Sequence, residues 1–221
     1  MEVETLSLVN GLGPIDVVLK NVAHPVPMHA KRLINETIPV VDELVGYDLM
    51  AGDWTAPHGK GETADLLFDM ERHPTETNTY WLPGRGESWT NVLYDEKLTV
   101  SFSNPGDGFV FVSVPTHGVS SLRLEGPAPE TGYTPVLVKT RENFRKEDAT
   151  YYLRIRSELD GDGNVVNALY GKIYGDLAWM NASDLTFTHY LNPVPNDRNV
   201  EFDPQRNLLE GGQKDYPVSD P

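Results

Sequence analysis

The 221-residue chain contains no cysteine. That excludes disulfides, thiolate metal sites and cysteine nucleophiles. It has no run of 18 or more apolar residues, so no stretch reads as a membrane-spanning helix and membrane insertion is not expected. Positive charge is scarce as well: 18 Lys and Arg stand against 33 Asp and Glu, a net charge of −15. Such a balance disfavours nucleic acid and anionic membranes as partners, because both need clustered cations. Catalytic motifs are missing too. The six histidines (His24, His29, His58, His73, His117, His189) form no HExxH or HxH, and no GxSxG occurs. The glycine-rich stretch at 58–62 fails as a phosphate loop, because Lys60 is followed by Gly61 rather than Ser or Thr. No cofactor is expected. The opening "MEVETLSLVNGLG" lacks a basic segment followed by an apolar one, so it does not read as a signal peptide. The cysteine-free, acidic, β-rich texture suits a secreted, periplasmic or cell-surface protein whose signal is not in this chain. A cytoplasmic location stays open.

What the chain does have is punctuation. Its 19 Gly and 17 Pro are spread almost throughout, which long helices do not survive. Between them lie short runs rich in Val, Tyr, Phe and Thr. Stretches 64–72, 91–103, 108–116, 134–140, 150–159, 164–179 and 184–192 read as strands. So do 15–23 and 39–50. This spacing predicts one all-β domain over 1–221, an antiparallel β-sandwich of jelly-roll type. Residues 193–221 hold five prolines and few periodic apolars. They are expected to wrap the surface irregularly, anchored by Val200, Phe202, Leu208 and Leu209, and to fray beyond about Leu209.

One stretch, "ELDGDGNVV" (158–166), alternates Asp160, Asp162 and Asn164 with glycines as a calcium loop does. The closing carboxylate of such a loop is missing, since the twelfth position is Gly171. The flanks alternate with period two, as strands do. A five-residue turn from Asp160 to Asn164 sets Ile155 across from Leu169 and Tyr151 across from Ile173, apolar on apolar. The stretch is therefore read as a hairpin turn and not a metal site. The register puts Val165, Leu169, Ile173 and Leu177 on one face. It puts Tyr152, Arg154, Arg156 and Glu158 on the face turned away from the core, with Tyr152 opposite Lys172 and Arg154 opposite Tyr170. Tyrosines interleaved with cations suggest a platform for a sugar or an anion. The bland alternative is ordinary cross-strand pairing, or a face covered by the tail.

A second candidate is "TYWLPGRGESWTN" (79–91), where Trp81 and Trp89 bracket a loop. Exposed, they could stack on sugar rings while Arg85, Glu87 and Asn91 bond hydroxyls. The competing reading makes both tryptophans core residues that pin a hairpin. Residues 46–62 read as a long surface loop with Trp54, His58 and Lys60 as its contacts. His189 shares a face with Leu185, Phe187 and Leu191 and reads as a core histidine. Asp197, Arg198, Glu201 and Asp203 are the densest ionisable set in the tail. They read as turn formers with an Arg–carboxylate pair.

The expectation drawn from these features is an extracytoplasmic, non-catalytic binding module with a carbohydrate ligand. Its candidate contacts are Trp81, Arg85, Trp89, Tyr152, Arg154, Tyr170 and Lys172. Two alternatives stand beside it: a polysaccharide hydrolase or lyase, and a structural or adhesive protein-interaction domain. An aromatic strip would mark the first, a cleft of convergent ionisable groups the second, and an apolar patch or open strand edge the third.

Overall fold

The computed structural model describes residues 3–6, 15–18, 22–82, 84–114, 124, 126–180, 184–209 and 218–220. Among these there is no helix, and the strands in chain order are β1 (Val3–Leu6), β2 (Ile15–Val18), β3 (Val26–Thr37), β4 (Leu44–Asp48), β5 (Asp53–Trp54), β6 (Leu66–Leu82), β7 (Glu87–Phe102), β8 (Gly108–Ser113), β9 (Val136–Thr140), β10 (Ala149–Leu159), β11 (Val165–Met180), β12 (Asp184–Asn192) and β13 (Phe202–Asn207). β1 and β2 pair with each other. A six-stranded sheet runs β13-β3-β12-β11-β10-β8, and a five-stranded sheet runs β5-β4-β6-β7-β9. All pairings are antiparallel except β13 with β3. The expected all-β sandwich is what forms.

Two hydrophobic layers result. Between the sheets, Phe68, Met70, Leu98 and Val100 of the smaller sheet meet Leu153, Ile155, Ile173 and Phe187 of the larger one. On the other side of the larger sheet, Met28, Ala30, Tyr152, Tyr170 and Tyr190 are covered by Leu124, Ala128, Val200, Phe202 and Val218. The six-stranded sheet is thus buried on both faces. That explains why β12 is buried at nearly every position rather than at every second one.

The hairpin register of β10 and β11 is as expected: Tyr151 opposes Ile173, Tyr152 opposes Lys172, Arg154 opposes Tyr170 and Ile155 opposes Leu169. The five-residue turn is also as expected, closed by Leu159 opposite Val165. Asp160 is engaged within the turn: it accepts from the Asn164 side chain and from the amides of Asn164 and Asp162, which hold its carboxyl below the usual range. This is turn chemistry.

The alternation does not run unbroken to the turn. A register shift lies between Ile155 and Glu158, and Arg156 has a positive φ of 53°. The bulge re-aims two residues. Arg156, expected to face outward, instead reaches the opposite sheet, donating to Asp65 (2.8 and 3.0 Å) and Asp48 (3.1 Å). Val165, expected beside Leu169, packs in the outer layer.

Three other expectations change. The tail is not wholly irregular: β13 joins the sheet edge, and Ala128 pairs with Arg198 through its amide. Val200 and Phe202 are buried anchors as expected, but Leu208 is exposed. Residues 210–217, where fraying was expected to begin, lie outside the described residues. Trp54 is no loop contact. It lies in the core, edge-on to Tyr47 and Phe68, while His58 and Lys60 stay at the surface.

Candidate functional site

β6 and β7 are far longer than the sheet that holds them. β4 pairs with β6 only as far as Asp69, and β9 pairs with β7 only over Lys97–Ser101. Beyond that the two strands pair with each other alone, out to Leu82 opposite Glu87. A register shift at Pro74–Glu76 marks the departure, where proline offers no ladder donor. About nine further residues per strand, at ~3.3 Å each, give an arm of about 30 Å. Thr, Tyr, Trp and Val at alternating positions favour this extended pair.

The tip carries the aromatic residues. Tyr80 opposes Trp89, and their rings stack at 5.7 Å with 26° between planes. Asn78 opposes Asn91 on the same face, two residues inward. Trp81, opposite Ser88, lies on the other face beside the Thr79–Thr90 pair, whose hydroxyls are 3.3 Å apart. The exposed fractions decide between the two readings of this stretch: 50% for Tyr80, 64% for Trp81 and 54% for Trp89. They pin a hairpin, yet they are not core. Arg85 is exposed at the turn between Gly84 and Gly86, whose φ of 99° and 70° require glycine.

The other four candidate residues are placed together by the sheet, but three of them are closed to solvent and Arg154 is half-buried. Tyr152, Tyr170 and Lys172 are buried under the covering segments. Arg154 lies 4.2 Å over the Tyr133 ring and donates to the carbonyls of Gly106 (2.8 Å) and Glu130 (3.0 Å). The platform becomes an internal seam. Lys172 is its most costly member. Its side chain is fully buried, its Nζ has no hydrogen-bond partner among the described residues, and it lies 4.8 Å from the Tyr190 ring. Burial pushes its pKa down to about 7, with Glu201 and Asp220 pulling weakly the other way.

Ionisable groups elsewhere satisfy one another. Asp48 and Asp65 share Arg156 and also take backbone donors from Leu49, Met50, Ala51, Glu62 and Thr63. Burial pushes Asp65 up, the Asp48 charge adds to it, and Arg156 with the Leu49 amide only partly offsets the two. Asp176 takes both oxygens' worth of Lys139 (2.6 and 2.7 Å) and the Tyr151 hydroxyl at 2.9 Å. His189 is core as expected, pushed down to about 3 by complete burial, with Nε2 3.4 Å from the Tyr47 hydroxyl. In the tail, Asp197 and Asp203 cap local turns, Glu201 accepts from the His24 amide, and Arg198 pairs with Glu130 rather than a tail carboxylate. Among the described residues no group of three or more His, Asp or Glu is placed to hold a metal ion.

Sequence reading missed Tyr80 as a partner of Trp89. The signal was present in the period-two alternation of Asn78, Tyr80 and Leu82 against Glu87, Trp89 and Asn91. In comparison with known proteins, no family model, no curated protein and no solved structure matches the chain.

Proposed function

We propose that the protein is a non-catalytic binding module, acting outside the cytoplasm, that presents the tip of the β6–β7 arm to a carbohydrate. The observation that carries this reading is the exposure of Tyr80, Trp81 and Trp89 at the end of an arm whose two strands, among the described residues, pair only with each other. Three large rings left in water at one place are uncommon unless something covers them. The stacked Tyr80–Trp89 pair offers a flat apolar surface to the C–H face of a sugar ring. Asn78 and Asn91 beside it, and Arg85 at the turn, supply donors and acceptors for hydroxyls. The tip is shallow, which suits a chain-like glycan better than an enclosed small molecule.

Catalysis is less well supported. The ionic clusters Asp48–Asp65–Arg156 and Asp176–Lys139–Tyr151 are largely buried, and their charges are already paired. A reacting group needs a free valence facing substrate.

The test is a glycan array probed with the intact chain and with Trp89→Ala and Trp81→Ala. Binding to a defined set of oligosaccharides, lost in Trp89→Ala with the melting temperature unchanged, is the expected result. No binding by the intact chain to any glycan, or full binding by both variants, would remove the reading.

A further inference from the structure

The arm has edges as well as faces, and its two edges differ. A lone two-stranded ribbon is marginal in water, and a further strand is what steadies it. An open edge also invites pairing unless proline, lysine or a bulge guards it. The β6 edge is guarded at its root. Asp42 takes the next backbone groups beyond β4, donating its amide to the Met70 carbonyl at 2.8 Å and accepting from the Arg72 amide at 3.1 Å. Pro74 and the register shift between Pro74 and Glu76 follow. The β7 edge has no such device. β9 pairs with β7 only from Lys97 onward, and among the described residues no strand lies on that side of Glu87–Glu96. This stretch, "ESWTNVLYDE", holds no proline, lysine or arginine.

We propose that this edge receives the same edge of a second copy of the chain, antiparallel and centred on Asn91, to give a four-stranded ribbon β6-β7-β7-β6. Asn91 is the middle of the open stretch 87–95. Each residue then meets the one equally far beyond the centre: Asn91 meets Asn91, Thr90 meets Val92, and Trp89 meets Leu93. The hairpin register extends these pairs into rows across the ribbon. The central row is Asn78, Asn91, Asn91 and Asn78. The next rows are Thr79, Thr90, Val92 and Thr77, then Tyr80, Trp89, Leu93 and Glu76. Amide meets amide, β-branched meets β-branched, and aromatic meets aliphatic, which are favourable cross-strand pairs. A slip of two residues either way would set Trp89 against Asn91 or Asp95. Only the outermost pair, Glu87 with Asp95, brings like charges together. Beside it lie His73, across from Asp95, and Arg141, bonded to Glu96 at 3.1 Å.

Symmetry and charge both suit a second copy. Pairing β7 with β7 is isologous and closes at two chains, whereas β7 with β6 would leave an edge open and run on. The guarded β6 edges end the ribbon. The net charge of −15 would oppose close packing of two bodies. Here the bodies stand at opposite ends of the ribbon, about 30 Å apart by strand rise, and charge is screened beyond about 8 Å at physiological salt. The pairing uses backbone edges, so both faces of the arm stay open. The Tyr80–Trp89 stacks of the two copies lie on one face, and association does not depend on whether a sugar binds there.

The experiment is sedimentation of the intact chain over a concentration series at physiological salt, where a monomer–dimer equilibrium is expected. Asn91→Asp sets two carboxylates across the axis and is expected to weaken the dimer about tenfold or more. Asn91→Lys does the same with two cations, and mixing the two variants is expected to restore association. The chain has no cysteine, so Asn91→Cys reports on the axis without background. Opposed Cα atoms of an antiparallel pair lie about 4.5–5.5 Å apart, within disulfide reach. Mild oxidation is expected to link Asn91→Cys into a covalent dimer and to leave Thr77→Cys, on the β6 edge, monomeric. A monomer at every concentration would overturn the proposal and leave the edge to a different polypeptide. So would a dimer that Asn91→Asp leaves intact, a mixture of the two charged variants no more associated than either alone, or equal cross-linking at positions 91 and 77.

Discussion

The arm tip and the outer face of the six-stranded sheet are built from the same kinds of side chain in opposite surroundings. The tip sets Tyr80, Trp81 and Trp89 beside Arg85, all in water. The sheet face sets Tyr152, Tyr170 and Tyr190 beside Arg154 and Lys172, with all but Arg154 buried. In the sequence both stand out as aromatic residues with cations nearby. What separates them is distant chain. Segments around Ala128, Val200–Phe202 and Val218 lie over the sheet face, while nothing described lies over the tip. A cation–aromatic face is a binding surface only where the rest of the chain leaves it open.

The sharpest way to break the contrast is to remove the cover. Phe202→Ala deletes a fully buried ring packed 5.1 Å from Tyr190. It is expected to cost about 3–5 kcal/mol in urea denaturation. The same kind of truncation at the tip, Trp89→Ala, is expected to cost under about 1 kcal/mol, because its ring is half in water already.

A smaller effect comes from the buried amine. Lys172 titrates near 7 when folded against 10.5 when exposed. Between those values the unfolded chain holds a proton that the folded one lacks, so stability rises with pH across that window. Lys172→Met removes the burial cost and is expected to stabilise the fold by about 1–4 kcal/mol at pH 7. The gain should shrink as pH rises from 7 to 9. A gain that does not change with pH would mean that the amine is solvated.

Arg154→Ala removes two hydrogen bonds to carbonyls and the stack on Tyr133. A loss of about 1–2 kcal/mol is expected, with no change in glycan binding. Lost binding at unchanged stability would put this face back among the ligand sites. Arg85→Ala at the arm turn should shift stability by no more than about 0.5 kcal/mol while weakening glycan binding.

Much of the fold was legible because local pattern and turn chemistry agreed. The β10–β11 register followed from pairing apolar with apolar and from a turn of glycines, Asp and Asn. His189 followed from its place on an apolar face. Arg156 was misplaced because a bulge is one residue of irregular backbone, set here by a bidentate pull from Asp65 some ninety positions away. The covered face was legible only as one of two readings, for a related reason. Burial of Tyr152 and Lys172 depends on which segment folds over them, and no period in the sequence records that. The tip was half legible. The tryptophans stood out, but whether they met a core or water depended on how far β6 and β7 outrun β4 and β9.

The four tryptophans offer the most direct test of the central claim, because two are buried in the core and two stand on the arm. Their indole N–H resonances should be followed by NMR while an oligosaccharide selected on the array is titrated into the intact chain. Trp81 and Trp89 are predicted to shift with a common affinity while Trp54 and Trp179 stay fixed. Shifts confined to Trp54 or Trp179, or a bound glycan that moves none of the four, would contradict the assignment of the arm tip as the binding site.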